Sequence, residues 1–150
     1  MKLAEALQER SDINIRISEL MQRIRLNAIV QEGEKPAEDP NDLMKEYNSS
    51  ADRLRELIAR INLTNCQTVS DGKSITELIA EKDTLSMKIK AYRELVLCAS
   101  QTAARARATE IKLLSTVDVR KLQKKVDTIA QELRLLDNKI QQLNWTTELL

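Results

Sequence analysis

Amide and hydroxyl side chains are concentrated in one stretch, Asn62-Leu63-Thr64-Asn65-Cys66-Gln67-Thr68-Val69-Ser70-Asp71-Gly72-Lys73-Ser74. It is the longest polar, non-periodic interruption in the chain, and amphipathic pattern runs away from it in both directions. Asn62, Thr64, Asn65, Asp71 and Lys73 are therefore the candidate ligand-binding residues, suited to a small polar or anionic molecule. Gly72 tolerates a left-handed backbone, and the start of the following helix can hold an anion. The competing reading is purely structural: the same groups satisfy the orphan carbonyls and amides of two helix ends. Gly72-Lys73-Ser74 looks like the end of a phosphate-binding loop, but that motif needs glycine at position 67, where Gln67 stands, and a preceding strand.

Other chemistry is restricted by composition. The 150 residues include no histidine, which removes Ser-His triads, helical Glu-x-x-His iron sites and ordinary zinc hydrolase sites. Cys66 and Cys98 lie 32 positions apart, match no metal spacing and are too few for a disulfide framework. Glu77 and Glu81 share a helical face, yet Lys73 and Lys82 beside them mark an exposed charge pattern, not an acid/base pair. No catalytic residues, metal or cofactor are expected, and the chain is read as non-enzymatic.

The elements that would position these residues are all helical. Aromatic residues are limited to Tyr47, Tyr92 and Trp145, and only Gly33, Gly72, Pro36 and Pro40 can break a helix. Four helices are predicted, at about 2–30, 42–62, 75–114 and 117–146, within one domain spanning 1–150. Leu3, Leu7, Ile13, Ile17, Leu20 and Ile24 form the stripe of the first helix, which Gly33 is expected to end. In the second, capped by Asn41, the stripe is Leu43, Tyr47, Ala51, Leu54, Ile58 and Ile61, with Leu57 beside it. Ser74-Ile75-Thr76-Glu77 reads as a capping box opening the third. Leu78, Leu85, Ile89, Tyr92 and Val96 follow, with Lys82 in the gap, and then a small-residue face at Ala103, Ala104, Ala106 and Ala108.

The fourth helix carries the strongest pattern. After a cap at Thr116, Val119, Leu122, Val126, Ile129, Leu133, Leu136, Ile140 and Leu143 are spaced 3-4-3-4-3-4-3. More than three unbroken heptads indicate a coiled-coil-like seam, with Trp145 expected to cap one end of the core. Helices of nearly thirty residues run about 40 Å. The expected fold is all-α: an elongated antiparallel four-helix bundle, or coiled-coil-like helical hairpins. Narrow bundles leave apolar edges, so a homo-oligomer is expected.

Charge argues in the same direction. A net charge of +1 speaks against general nucleic-acid binding. Residues 1–62 carry 10 Lys+Arg against 12 Asp+Glu, and residues 63–150 carry 14 against 11. Residues 31–46 hold six acids against Lys35 and Lys45, and one basic cluster comprises Arg105, Arg107, Lys112, Arg120, Lys121, Lys124 and Lys125. That cluster, opposed locally by Glu110 and Asp118, leaves nucleic-acid or anionic-lipid binding as an alternative. It has no interleaved aromatic partner for bases, however, and reads first as a solvated face or as a match for the acidic segment of another subunit. The N-terminal decapeptide has no apolar signal core, and the longest apolar run is Leu95–Ala99. A cytoplasmic protein with no membrane span is expected.

Arg60-Ile61-Asn62-Leu63-Thr64-Asn65, Asp71-Gly72-Lys73-Ser74-Ile75-Thr76-Glu77-Leu78-Ile79-Ala80-Glu81 and Ile140-Gln141-Gln142-Leu143-Asn144-Trp145 resemble an uncharacterised bacterial family, members of which are sometimes labelled septicolysin. Val30–Pro36 and Val117-Asp118-Val119 extend the resemblance over nearly the whole chain. The label implies a membrane-lytic activity; the resemblance transfers no catalytic residues.

Overall fold

The computed structural model describes residues 1–102 and 111–150. Its four long helices are α1 (Leu3–Asn27), α2 (Pro40–Gln67), α3 (Ile75–Ser100) and α4 (Val119–Thr146). A two-residue hairpin, β1 (Val69–Ser70) and β2 (Lys73–Ser74), separates α2 from α3. The fold is all-α, as the sequence predicts. The chain divides into two compact units, one of residues 1–74 with 143–150 and the other of residues 75–142.

In the first unit, α1 and α2 pack antiparallel. Leu3, Ala6 and Leu20 are buried on α1, and Leu43, Leu57 and Ile61 on α2. Leu57, expected beside the stripe, is fully buried, while Ile58 is exposed. The rotation follows from helix geometry, since adjacent residues differ by 100° and only one of them can face a single neighbour. Arg53 of α2 bonds Glu9 of α1, and Arg16 of α1 bonds Glu46 of α2. Segments 1–3 and 147–149 pair antiparallel: the Leu3 N–H donates to the Thr147 carbonyl at 2.9 Å, and the Leu149 N–H to Met1 at 2.9 Å.

In the second unit, α3 and α4 pack antiparallel along the predicted seam. Ile89, Val126 and Ile129 are its buried centre, flanked by Leu85, Tyr92, Val96, Ala130 and Leu133. Lys82, the polar residue in the α3 stripe, bonds Asp137 of α4. A charged position inside an apolar seam fixes register, because slippage would strand both charges.

Several helix ends differ from expectation. First, α1 stops at Asn27, short of the predicted end near residue 30, and Gly33 (φ 88°) does not end the helix but sits in a turn closed by the Glu34 N–H on the Gln31 carbonyl. The start of α2 lies two residues early: Asp39, not Asn41, is the cap and accepts from the Asn41 N–H at 2.8 Å. Pro40 is accommodated at the first helical position because its missing N–H would have no partner there. At the other end of that helix, the chain stays helical to Gln67, past the predicted stop at 62.

The third predicted helix reaches Leu114 only in expectation; α3 ends at Ser100 and residues 111–114 are not helical. Ala103, Ala104, Arg105, Ala106, Arg107 and Ala108 lie outside the described residues. Asp118, not Thr116, caps α4, with its carboxylate accepting the Lys121 N–H at 3.0 Å. Trp145 does not cap the core but stands 60% exposed.

Candidate functional site

The stretch singled out by its polar side chains is two structures, not one loop. Asn62, Thr64 and Asn65 lie on the last turns of α2, whereas Asp71 and Lys73 belong to the β1–β2 hairpin. In the hairpin, Asp71 (φ 50°) and Gly72 (φ 79°) occupy the two central positions. Positive φ at both is the type I′ turn, whose twist matches that of the flanking strands, and Asp-Gly is among its preferred pairs. The Asp-Gly pair thus performs a backbone task.

Thr64 faces inward. It is fully buried, donates to the Arg60 carbonyl at 2.8 Å and accepts the Leu150 N–H at 3.1 Å. Arg60 completes this corner, its Nε donating to the Leu150 carbonyl at 2.6 Å. Asn62 is exposed, and two residues of helical rotation carry it about 200° away from Thr64. Asn62 and Thr64 therefore do not converge on one ligand. Thr64 holds the 148–150 segment against α2, a role that spacing along the sequence gave no sign of.

A second concentration of polar chemistry lies between α1 and α2. A cleft of about 520 Å3 is lined by Glu9, Arg16, Glu46, Ser49, Ser50 and Arg53, among others. Hydrogen bonding to Arg53 holds the Glu9 carboxyl below the usual carboxylate range, against the opposing effect of burial. Glu56 is lowered by the same guanidinium. The cations of the cleft are committed to acids: Arg53 to Glu9 and Glu56, Arg16 to Glu46 and Lys45 to Asp42. Such a site is neutralised from within, which leaves little field for a charged ligand.

The connection between α1 and α2 is clamped at its base. The Glu38 N–H donates to Asn27 Oδ1 at 3.1 Å, and Arg23 grips the Glu38 carboxylate through both Nε, at 2.9 Å, and Nη2. This pairing lowers the Glu38 pKa and raises that of Arg23. Residues 28–37 between the clamped ends are all exposed.

On the second unit, the start of α4 and the facing side of α3 form a groove of about 590 Å3. Tyr92, Val117 and Leu122 supply its apolar lining, and Lys121, Lys124 and Lys125 its charge. Asp118, the acid of the described lining, also caps α4. These lysines belong to the basic cluster seen in the sequence; two of its three arginines, Arg105 and Arg107, lie outside the described residues.

Among the described residues, no group of three or more Cys, Asp or Glu side chains is placed to hold a metal ion. No helix among them is long and apolar enough to cross a membrane. Both cysteines are exposed thiols.

No curated protein matches the chain. A crystal structure of a functionally unknown conserved protein from Corynebacterium diphtheriae superposes with a TM-score of 0.90 at 40% identity, covering 100% of this chain and 99% of that one. The model of DUF6847, a family of unknown function, matches residues 10–149. At that coverage, the chain belongs to the DUF6847 family.

Proposed function

We propose that the protein is a non-enzymatic, self-associating helical interaction module. The observation that carries this reading is α3. From Leu85 to Ala99 its apolar residues are spread around the helix, although among the described residues of its unit α4 is the helix that packs against it. Leu85, Ile89, Tyr92 and Val96 meet α4, while Met87, on the opposite side, is 71% exposed and Leu97 is 55% exposed. Although Lys88, Lys90, Arg93 and Glu94 are interleaved among them, the apolar side chains left exposed at Met87, Leu95 and Leu97 are suited to a further neighbour. A second copy supplies the missing neighbours most economically, since any patch on one copy is present on the other.

Light scattering behind a sizing column tests the reading. The expected result is a discrete species at a multiple of the 17.1 kDa chain mass. A monomer at every concentration and salt would overturn it.

The membrane-lytic activity implied by the septicolysin resemblance is a separate reading, motivated by the label and by the basic cluster. Release of dye from anionic vesicles at micromolar protein would support it, and intact vesicles would count against it.

A further inference from the structure

The clamped loop between α1 and α2 and the groove at the start of α4 have opposite chemistry, feature by feature. The loop exposes Ile29 (87%) and Val30 next to Glu32 and Glu34. The groove has an apolar lining of Tyr92, Val117 and Leu122 beside Lys121, Lys124 and Lys125. We propose that residues 29–34 of one copy dock in the Tyr92–Leu122 groove of a second copy, with Ile29 and Val30 on the apolar lining and Glu32 and Glu34 on the lysines. This rests on the self-association reading and names the surfaces that carry it.

Three observations support the assignment. The loop is presented as a closed unit, because Arg23–Glu38 and Asn27–Glu38 tie its two ends together. Closing its ends, together with the Glu34–Gln31 turn inside it, meets part of its ordering cost before association, which favours a loop as a binding element. The other acids of the 31–46 segment are partly committed, Glu38 to Arg23, Asp42 to Lys45 and Glu46 to Arg16. Glu32 and Glu34 are exposed on the loop itself and outnumber the one cation there, Lys35. On the groove, the lining carries three lysines against the single acid Asp118, so positive charge dominates the local field. At about 590 Å3 the groove has room for two aliphatic side chains and the backbone carrying them.

Complementary charge sets register and partner choice as well as attraction, which makes charge reversal the decisive experiment. One variant carries Glu32→Lys with Glu34→Lys; the other carries Lys121→Glu with Lys125→Glu. All four positions are exposed, so both variants are expected to keep the helical content and Tm of the parent chain. Each variant alone places like charges on loop and groove, and its self-association should weaken at least about ten-fold. Mixed in equal amounts, each loop faces an opposite groove, and the assembled fraction should return to that of the parent.

Failure of the mixture to recover would overturn the proposal, as would variants that assemble as tightly as the parent. In both of those cases the parent still assembles, so the self-association reading survives. Should the parent chain itself be a monomer, both readings fall together. If the groove instead takes an acidic apolar partner of another kind, each variant assembles undisturbed, which again overturns the loop assignment. If a variant loses helical content, the parent chain at raised salt supplies the second measurement. Weaker association with added salt is then expected, and no change would overturn the proposal.

Discussion

Arg53 of α2 holds Glu9 of α1 through two parallel hydrogen bonds, Nε to Oε1 at 2.7 Å and Nη2 to Oε2 at 3.0 Å. The fork geometry fits a planar carboxylate as no lysine could, and it ties the two helices at a fixed register. Both side chains are about a third exposed, so the pair orders the hairpin more than it stabilises it. Arg53→Lys is therefore expected to keep the fold while lowering Tm by a few degrees at most. A collapse of the hairpin in that variant would show the pair to be structurally essential, contrary to this account.

Acid should reveal the same pairs. Glu9, Glu38, Glu56 and Glu148 all have folded pKa values lowered, chiefly by hydrogen bonds from Arg53, Arg23, Arg53 and Lys2 respectively. A lowered folded pKa contributes stability above the unfolded value and loses it as pH falls through the folded one. With no histidine in the chain, Tm is expected to be level from about pH 6 to 8 and to fall below about pH 4.5. Thermal melts across that range check it, and Glu9→Gln should shallow the acid limb.

Thr64 offers a sharper test of buried polarity. Thr64→Val keeps the shape but removes the acceptor of the Leu150 N–H and the donor to the Arg60 carbonyl. Stranding a buried amide costs about 1–3 kcal/mol, whereas Thr64→Ser, which retains the hydroxyl, should cost less than half of that. Chemical denaturation of both variants gives the comparison. Equal stability of the two would mean that the hydroxyl contributes nothing.

The core of the first unit depends on full burial at Leu57. Leu57→Ala is expected to cost about 2–5 kcal/mol, while Ile58→Ala beside it should cost far less, since Ile58 is 41% exposed. Urea titrations would decide between the observed rotation of α2 and the one read from the stripe alone.

Assembly, in contrast, should respond to residues that leave the fold alone. Met87→Lys and Leu97→Lys replace exposed side chains of α3. Tm at low concentration is expected to stay within a few degrees, while the assembled fraction falls. An unchanged oligomer would remove α3 as the apolar interface.

What the sequence made legible was periodic. The eight-position seam of α4 is buried or half-buried throughout, and α3 begins at Ile75 where the Ser74–Glu77 pattern placed it. Ends and pairings were harder. Asn62–Gln67 stays helical although its run is polar, because hydrogen bonding along α2 and the inward turn of Thr64 outweigh weak local propensity. The Asp71-Gly72 hairpin had a sequence signal, but only two residues on each side pair, too short a run for strand alternation to appear. Arg53–Glu9 and Lys82–Asp137 join residues far apart in the chain, and one sequence carries no trace of that distance. The candidate set at 62–73 was read from residue type alone, and the structure distributes it between a helix end and a turn.

The pairing of residues 1–3 with 147–149 also has a consequence in time. The contact of Met1 with Glu148 joins positions 147 apart, the longest separation the chain can nearly offer. Closing so large a loop is slow and entropically unfavourable until intervening structure has drawn its ends together. Each helical hairpin, by comparison, forms from neighbours along the chain. The Leu3 and Leu149 amides are therefore expected to be secured late in folding and released early in partial unfolding, so that their hydrogen exchange would register whether the structure between them is already in place.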